Sequence, residues 1–304
     1  MICLKEYKVI CALLNFQIPV MLKGHPEYSR EEVTEFFEKL QKQLVEGIEL
    51  VDGIRIRRIS KEDIEDINRY LPLLPSNMDL SSAKFVLAKN VVGEDHEFRM
   101  TAAMHRIVLG LRLLKGSYIS GNFVFYVSLS EESRVVDWSR DEGQRRESFG
   151  WGYALDFEEI PDLKNLLEKL ERIDFDRERR LGLACKRFGR AYEEDDFEDQ
   201  LIDLMIALEA LFVIREVDGA SKKQPIANKC SALLGRDDEE KGFIRSRLVE
   251  AYSTRNCIVH GSEYRRAVSG SQIEGDFDFM ENLVQDVEGF VRDSIKTIIS
   301  RMKQ

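Results

Sequence analysis

Apolar residues change their period part-way along this chain. Up to about residue 160 they come in short runs and alternations separated by turn residues. Beyond that point they recur at steps of three and four. The first pattern predicts strands mixed with helices, the second an all-helical domain. VICALLNFQIPVML supplies one or two strands, with Pro19 marking an edge or an end. Ser29 to Glu32 forms a capping box for a helix with the stripe Phe36, Phe37, Leu40 and Leu44, which Gly47 stops. Asp52-Gly53 between β-branched residues predicts a hairpin. Ser60 to Asp63 opens a short helix, broken around Pro72 and Pro75. KFVLAKNVV, YISGNFVFYVSL and SRVVDWS are strands, and RMTAAMHRIVLGLRLLKG is a helix with Ala103, Ile107, Leu111 and Leu114 on one face.

Pro161 suits the first turn of a helix over IPDLKNLLEKLERI. Helices follow over RERRLGLACKRFGRAYEE, DDFEDQLIDLMIALEALFVIRE, PIANKCSALLG (ending on Gly235) and DDEEKGFIRSRLVEAYSTRNCIVHG (opened by acids and closed by Gly261). VDGASKKQ is a polar loop among them. The last helix carries one core-facing stripe from Phe277 through Val287, Ile295 and Ile298 to Met302. The expected fold class is α+β: a mixed domain over residues 1–160, then an all-α bundle of four to six helices over 161–304. No repeat is evident.

Composition narrows the partners. The formal net charge is -10, so the chain has no overall basic footprint and tight non-specific binding of duplex DNA is not expected. A local basic groove needs only a few cations. The five cysteines are odd in number and scattered with no CxxC, which predicts buried free thiols in a reducing compartment. No apolar run reaches the ~18 residues of a membrane span. The N-terminal apolar stretch is interrupted by Lys5, Glu6 and Lys8 and predicts a strand, not a signal peptide. The expected location is cytoplasmic, with no membrane partner. His25, His96 and His105 are isolated, with no second ligand at metal spacing. No glycine-rich phosphate loop or GxSxG occurs. The acidic run Glu193 to Asp199 suits a solvated helix start. No metal and no cofactor is expected.

Two features remain. The helix over 201–214 has one apolar face of Leu201, Met205, Leu208 and Phe212, and a second of Ile202, Ile206, Glu209 and Val213. A buried unpaired carboxylate is costly, so Glu209 calls for a cation, with Arg255, Lys229 and Arg245 as candidates. The other feature is AYSTRNCIVHG, residues 251–261, which holds Arg255, Asn256 and His260. The negative end of a helix favours an imidazolium and a nearby guanidinium opposes it, a balance that suits general acid–base work near neutrality. Arg255 offers a planar charged fork for a phosphodiester, and Asn256 offers donors and an acceptor to the same ligand. Such a set can cleave RNA without a metal: an imidazole deprotonates the ribose 2′-OH, which attacks the adjacent phosphorus while guanidinium stabilises the developing charge. Residues five apart on a regular helix lie about 140° from each other. Either the last turn unwinds, or a second copy of the chain completes the site across a two-fold axis.

LIDLMIALEALF together with LVEAYSTRNCIVHG resembles the HEPN superfamily, in its Apea-like branch. The resemblance rests on Ala207 to Phe212 and on Tyr252, Arg255, Asn256, Ile258, Val259, His260 and Gly261, and covers roughly residues 175–304. It implies a helical bundle in which the Arg-x(4–6)-His motif is the active site of a metal-independent endoribonuclease working as a homodimer on RNA, in toxin, anti-phage or RNA-processing settings. Arg255 and His260 would be catalytic; Asn256, Glu209 and Tyr252 accessory. Other members of the superfamily bind RNA or nucleotides, or pair subunits, without cleaving, and that is the alternative the resemblance leaves open. The first 160 residues lie outside it.

Overall fold

The structure is a computed structural model and describes residues 6–14, 16–18, 38–39, 41–68, 83–92, 97–121, 123–129, 136–140, 153–213, 222–262 and 276–302. The chain divides into two compact units, Met1–Gly143 with Glu147–Leu170, and Gln144–Arg146 with Glu171–Gln304. The expected α+β class is what the structure has: a sheet-bearing first unit and a helical second one.

The first unit contains β1 (Glu6–Leu13), β2 (Phe16–Gln17), β3 (Ile48–Val51), β4 (Ile54–Arg58), α1 (Lys61–Asn68), β5 (Phe85–Val92), α2 (Glu97–Leu114), β6 (Phe123–Ser128), β7 (Val136–Arg140), β8 (Tyr153–Ala154) and α3 (Ile160–Glu171). Six strands form one antiparallel sheet in the order β3-β4-β5-β1-β6-β7. β1 lies inside it, and Val9 to Leu13 are buried on both faces, which is why this strand reads as an unbroken apolar run. Ile10 packs with Val86, Ala88, Phe125, Val127 and Ile67 of α1. Cys11, on the opposite face, donates to the Gly121 carbonyl at 3.1 Å. The hairpin turns at Asp52 and Gly53, both at positive φ (48° and 68°), the backbone that a two-residue hairpin requires.

Residues 41–46 are helical, Leu44 is fully buried, and the Gly47 N–H closes on the Gln43 carbonyl at 2.9 Å. This agrees with the predicted stop. Pro19, Ser29 to Glu32, Phe36, Phe37, Leu40, Pro72 and Pro75 lie outside the described residues. On α2 the stripe differs from expectation. Met100, Met104, Ile107, Val108 and Leu111 are buried, while Ala103 and Leu114 are only half-buried. The parallel pair β2–β8 is two residues long, too short to carry a period. It seats Tyr153, whose buried hydroxyl donates to the Leu111 carbonyl at 2.8 Å.

Helix α3 belongs to the first unit apart from its last residue, so the division falls near residue 170, ten residues later than the change of period. Gly110 on α2 shows how closely the two helices approach. A Cβ there would meet Leu167 of α3 at 2.6 Å.

One ion cluster ties α1 to the sheet. Ser60 and Asp63 exchange capping hydrogen bonds, as the sequence predicts. The Asp63 carboxylate also receives both Arg57 amino groups, at 2.5 and 3.0 Å, and lies 3.2 Å from Lys8 Nζ. Lys8 in turn lies 2.7 Å from Asp66.

The second unit contains α4 (Arg179–Ala191), α5 (Phe197–Phe212), α6 (Lys223–Leu234), α7 (Asp238–Val259) and α8 (Asp276–Arg301). Helix α5 packs against each of the other four. Asp196 starts it, accepting from the Glu198 N–H at 2.6 Å, so the acidic run is in part a helix cap. Leu201, Met205, Leu208 and Phe212 form its buried face as predicted, while Ile202, Ile206, Glu209 and Val213 are half-buried at the rim of the core. On α8 the buried stripe runs from Met280 through Val287 and Val291 to Ile295, then takes Ile299 in place of the expected Ile298. Cys11, Cys185 and Cys230 are buried free thiols, each pushed up to about 12 by burial; Cys257 is free and half-buried. Among the described residues no helix is long and apolar enough to cross a membrane.

Candidate active site at the end of helix α7

Helix α7 starts on Asp237, whose carboxylate accepts from the Glu240 N–H at 2.8 Å. Asp238, Glu239 and Glu240 fill its first turn, where acids suit the helix dipole. Ile244, Leu248, Ala251 and Thr254 are its buried positions, at steps of four, three and three. That stripe fixes the rotation of the helix about its own axis. It puts Tyr252, Arg255 and Asn256 beside the core, half-buried, and leaves Val259 and His260 exposed.

The helix does not unwind before the histidine. It is α-helical to Val259, and the His260 N–H still closes on the Asn256 carbonyl at 3.1 Å. Gly261 then turns left-handed, with φ 66°. Its N–H bonds the Ile258 carbonyl at 3.1 Å, and the Ser262 N–H bonds the Cys257 carbonyl at 2.8 Å. The paired closure is a Schellman motif, and the positive φ is the reason a glycine stands there. Of the two alternatives open from the sequence, the unwound last turn is not what the structure has. Arg255 and His260 of one chain project in directions about 140° apart. Val259 lies on the helix surface between those directions and is 52% exposed.

Arg255 is held, but not saturated. Its Nη1 donates to Asn256 Oδ1 at 3.2 Å, and its Nη2 lies 3.9 Å from Glu209 Oε1. That is an ion pair at the limit of contact, well short of a bidentate fork. Its Nε is buried with no hydrogen-bond partner among the described residues. Asn256 thereby helps to orient the guanidinium. Glu209 finds its cations as the sequence required, though not all of the expected ones. Arg255 is one. The nearer is Lys222, at 3.4 Å from Oε2, just before α6. Lys229 instead donates to the Phe212 carbonyl at 2.7 Å, and Arg245 to the Lys241 carbonyl at 3.1 Å. Both satisfy backbone carbonyls, one of them at the end of α5. Lys222 lay in a stretch that reads as a polar loop, where no period predicts a direction for its side chain. Tyr252 is half-buried on the same turn as Arg255.

Among the described residues no group of three or more His, Cys, Asp or Glu side chains is placed to hold a metal ion. The chemistry offered by this surface is that of a charged planar donor, an exposed imidazole and an orienting amide. Compared with family models, with curated proteins and with solved structures, the chain matches none.

Proposed function

We propose that this protein is a metal-independent endoribonuclease acting on single-stranded or looped RNA, with Arg255 and His260 as the catalytic pair in a composite site formed by two copies of the chain. The observation that carries this reading is the state of Arg255. A guanidinium partly sunk at the rim of the bundle is oriented by Asn256 and balanced by Glu209, yet is not consumed by a bidentate partner. A structural arginine normally completes its fork; one kept open suits a phosphodiester. The exposed His260 supports the same reading, since a general base must reach its proton.

The regular helix supports the two-fold arrangement. One chain aims Arg255 and His260 to either side of an exposed Val259, so a facing α7 end would bring the arginine of one copy towards the histidine of the other. The reaction follows from these groups. His260 takes the proton of a ribose 2′-OH, and O2′ bonds to the adjacent phosphorus. The guanidinium holds the charge on the non-bridging oxygens. The bond from phosphorus to the 5′-oxygen breaks, and that oxygen leaves with a proton from an imidazolium. A toxin-like or anti-phage role fits such an activity.

The products identify the route. Cleavage is expected to leave a 2′,3′-cyclic phosphate and a 5′-hydroxyl, read by mass spectrometry of a labelled oligonucleotide. A substrate with one 2′-deoxyribose at the preferred position should resist cleavage there. Products ending in 5′-phosphate, or cutting of the deoxy position at the normal rate, would rule the route out.

A further inference from the structure

Helix α4 carries cations at Arg179, Arg180, Lys186, Arg187 and Arg190, and no acid. Three of them are committed. Arg187 and Arg190 pair with Asp203 at 2.6 and 3.3 Å, and Arg190 also with Glu194 at 2.9 Å. Arg180 donates to the Ala210 and Val213 carbonyls, both at 2.8 Å. Arg179 and Lys186 are exposed, and their side chains make no ion pair or hydrogen bond among the described residues. The helix period puts these two on one line. Leu181, Ala184, Cys185 and Phe188 face the core. Arg179, Leu183 and Lys186, at steps of four and three, lie on the opposite side. Seven residues of helix set the two free cations about 10 Å apart along the axis.

The line starts beside the candidate site. Arg180 and Arg255 flank the same last turn of α5, Arg180 on its carbonyls and Arg255 beside Glu209. Arg187 and Arg190 reach Asp203, further back on α5, so α4 runs antiparallel to it and leads away from that turn. The line stops at the acids Glu193 to Asp196, which repel a further phosphate. We propose that the outer face of α4 is a docking surface for single-stranded RNA, with Arg179 and Lys186 each holding one phosphate of a strand that also reaches Arg255. The proposal rests on the reading of the Arg255 site as an RNA site. Charge complementarity selects the occupant. Two uncommitted cations on an acid-free helix attract a polyanion locally although the chain has a net charge of -10. Both are exposed, so neither gives up an internal partner on binding. A membrane surface asks for several large apolar side chains on the docking face, and this face offers Leu183 alone, 43% exposed.

The test is binding, measured on His260→Ala protein so that no cleavage intervenes. Into it are placed Arg179→Gln with Lys186→Gln, the charge-keeping pair Arg179→Lys with Lys186→Arg, and Arg58→Gln with Lys61→Gln, which makes the same change of net charge in the first unit. Each protein is titrated across a range of salt with a fluorescent single-stranded oligoribonucleotide, and separately with vesicles of anionic phospholipid. The glutamine pair on α4 is expected to weaken RNA binding by about tenfold. It should also lower the slope of log K against log salt by about 1.4, two phosphate contacts at ~0.7 each on a single strand. The charge-keeping pair and the first-unit pair should stay near the parent in both. Unchanged affinity and slope for the α4 glutamine pair would overturn the proposal. So would an equal loss in the first-unit pair, an absence of RNA binding in the parent, or vesicle binding that the α4 pair abolishes while RNA binding stays. The docking surface and the nuclease fail separately. A lowered slope in a chain that never cuts RNA keeps the surface and removes the nuclease, and cleavage with an unchanged slope does the reverse.

Discussion

Arg255→Ala and His260→Ala proteins, each expected to be inactive alone, should regain about a quarter of the wild-type cleavage rate when their subunits are exchanged. Each substitution by itself is expected to reduce the rate by about a thousandfold. Losing a donor to the developing charge costs ~10²–10³, and losing a positioned base ~10²–10⁴. Recovery follows from the direction in which α7 points its residues. A regular helix aims Arg255 and His260 to different sides, so in the proposed composite site each centre draws one residue from each copy. When the two variants re-pair at random, half of the dimers are mixed. Each mixed dimer holds one site with both intact residues and one with neither. Subunits are exchanged by joint refolding or co-expression, and the rate is read on a quenched-fluorophore RNA. No recovery in a sample shown to contain mixed dimers would place both residues of one site in one chain.

Asp63→Ala should destabilise the first unit by about 3 kcal/mol, because removing one member of a buried ion cluster leaves the others uncompensated. The Asp63 carboxylate is 1% exposed, and its partners Lys8 and Arg57 are 12% and 18% exposed, so little water can replace it. The chain offers a clean reporter. Trp138 lies on β7 of the first unit, so in a Trp151→Phe background the fluorescence follows that unit, while far-UV circular dichroism is weighted towards the helices of the second. The fluorescence midpoint in urea should move and the dichroism of the helical unit should not.

The same carboxylate sets an acid limit. Burial alone would raise its pKa, but the hydrogen bonds and charge of Arg57 and the Ser60 N–H outweigh burial and hold it well below the usual carboxylate range. A group held lower in the folded state than in the unfolded one stabilises above its unfolded value and loses that contribution as pH falls below it. Stability of the first unit should therefore hold near neutrality and decline below about pH 4 in the native protein. In Asp63→Ala the decline over that window should be shallower. A wild-type acid profile in the variant, or a midpoint shift below about 1 kcal/mol, would remove Asp63 as the anchor.

These two residues also show what the chain announces in advance and what it does not. Locally determined features were legible. The step of three and four on α8, the Asp52-Gly53 turn and the Gly261 stop are each fixed by local geometry, and the structure has all three. Ser60 and Asp63 read correctly as a cap. Yet nothing local indicates that Asp63 also meets Arg57 from β4 and Lys8 from β1, since those partners arrive through sheet pairing. Glu209 is the parallel case in the helical unit. Its place on a half-apolar face called for a cation, but the nearer cation, Lys222, comes from a polar stretch where spacing fixes no direction. Most of the buried stripe positions were predicted, and the misses at Ala103, Leu114, Ile298 and Met302, all half-buried, arise where side-chain volume or the drift of 3.6 against whole numbers decides the outcome. The unit boundary moved for the same kind of reason. Helix α3 has the period of the bundle but packs on α2 through Gly110.

The most direct measurement is cleavage of a single-stranded RNA in excess EDTA by the wild-type protein and by the Arg255→Ala and His260→Ala variants at matched concentration. A chelator-resistant wild-type activity that falls by about a thousandfold in both variants is the expected result. Equal activity in all three proteins, or wild-type activity abolished by the chelator and restored by a divalent metal, would contradict it.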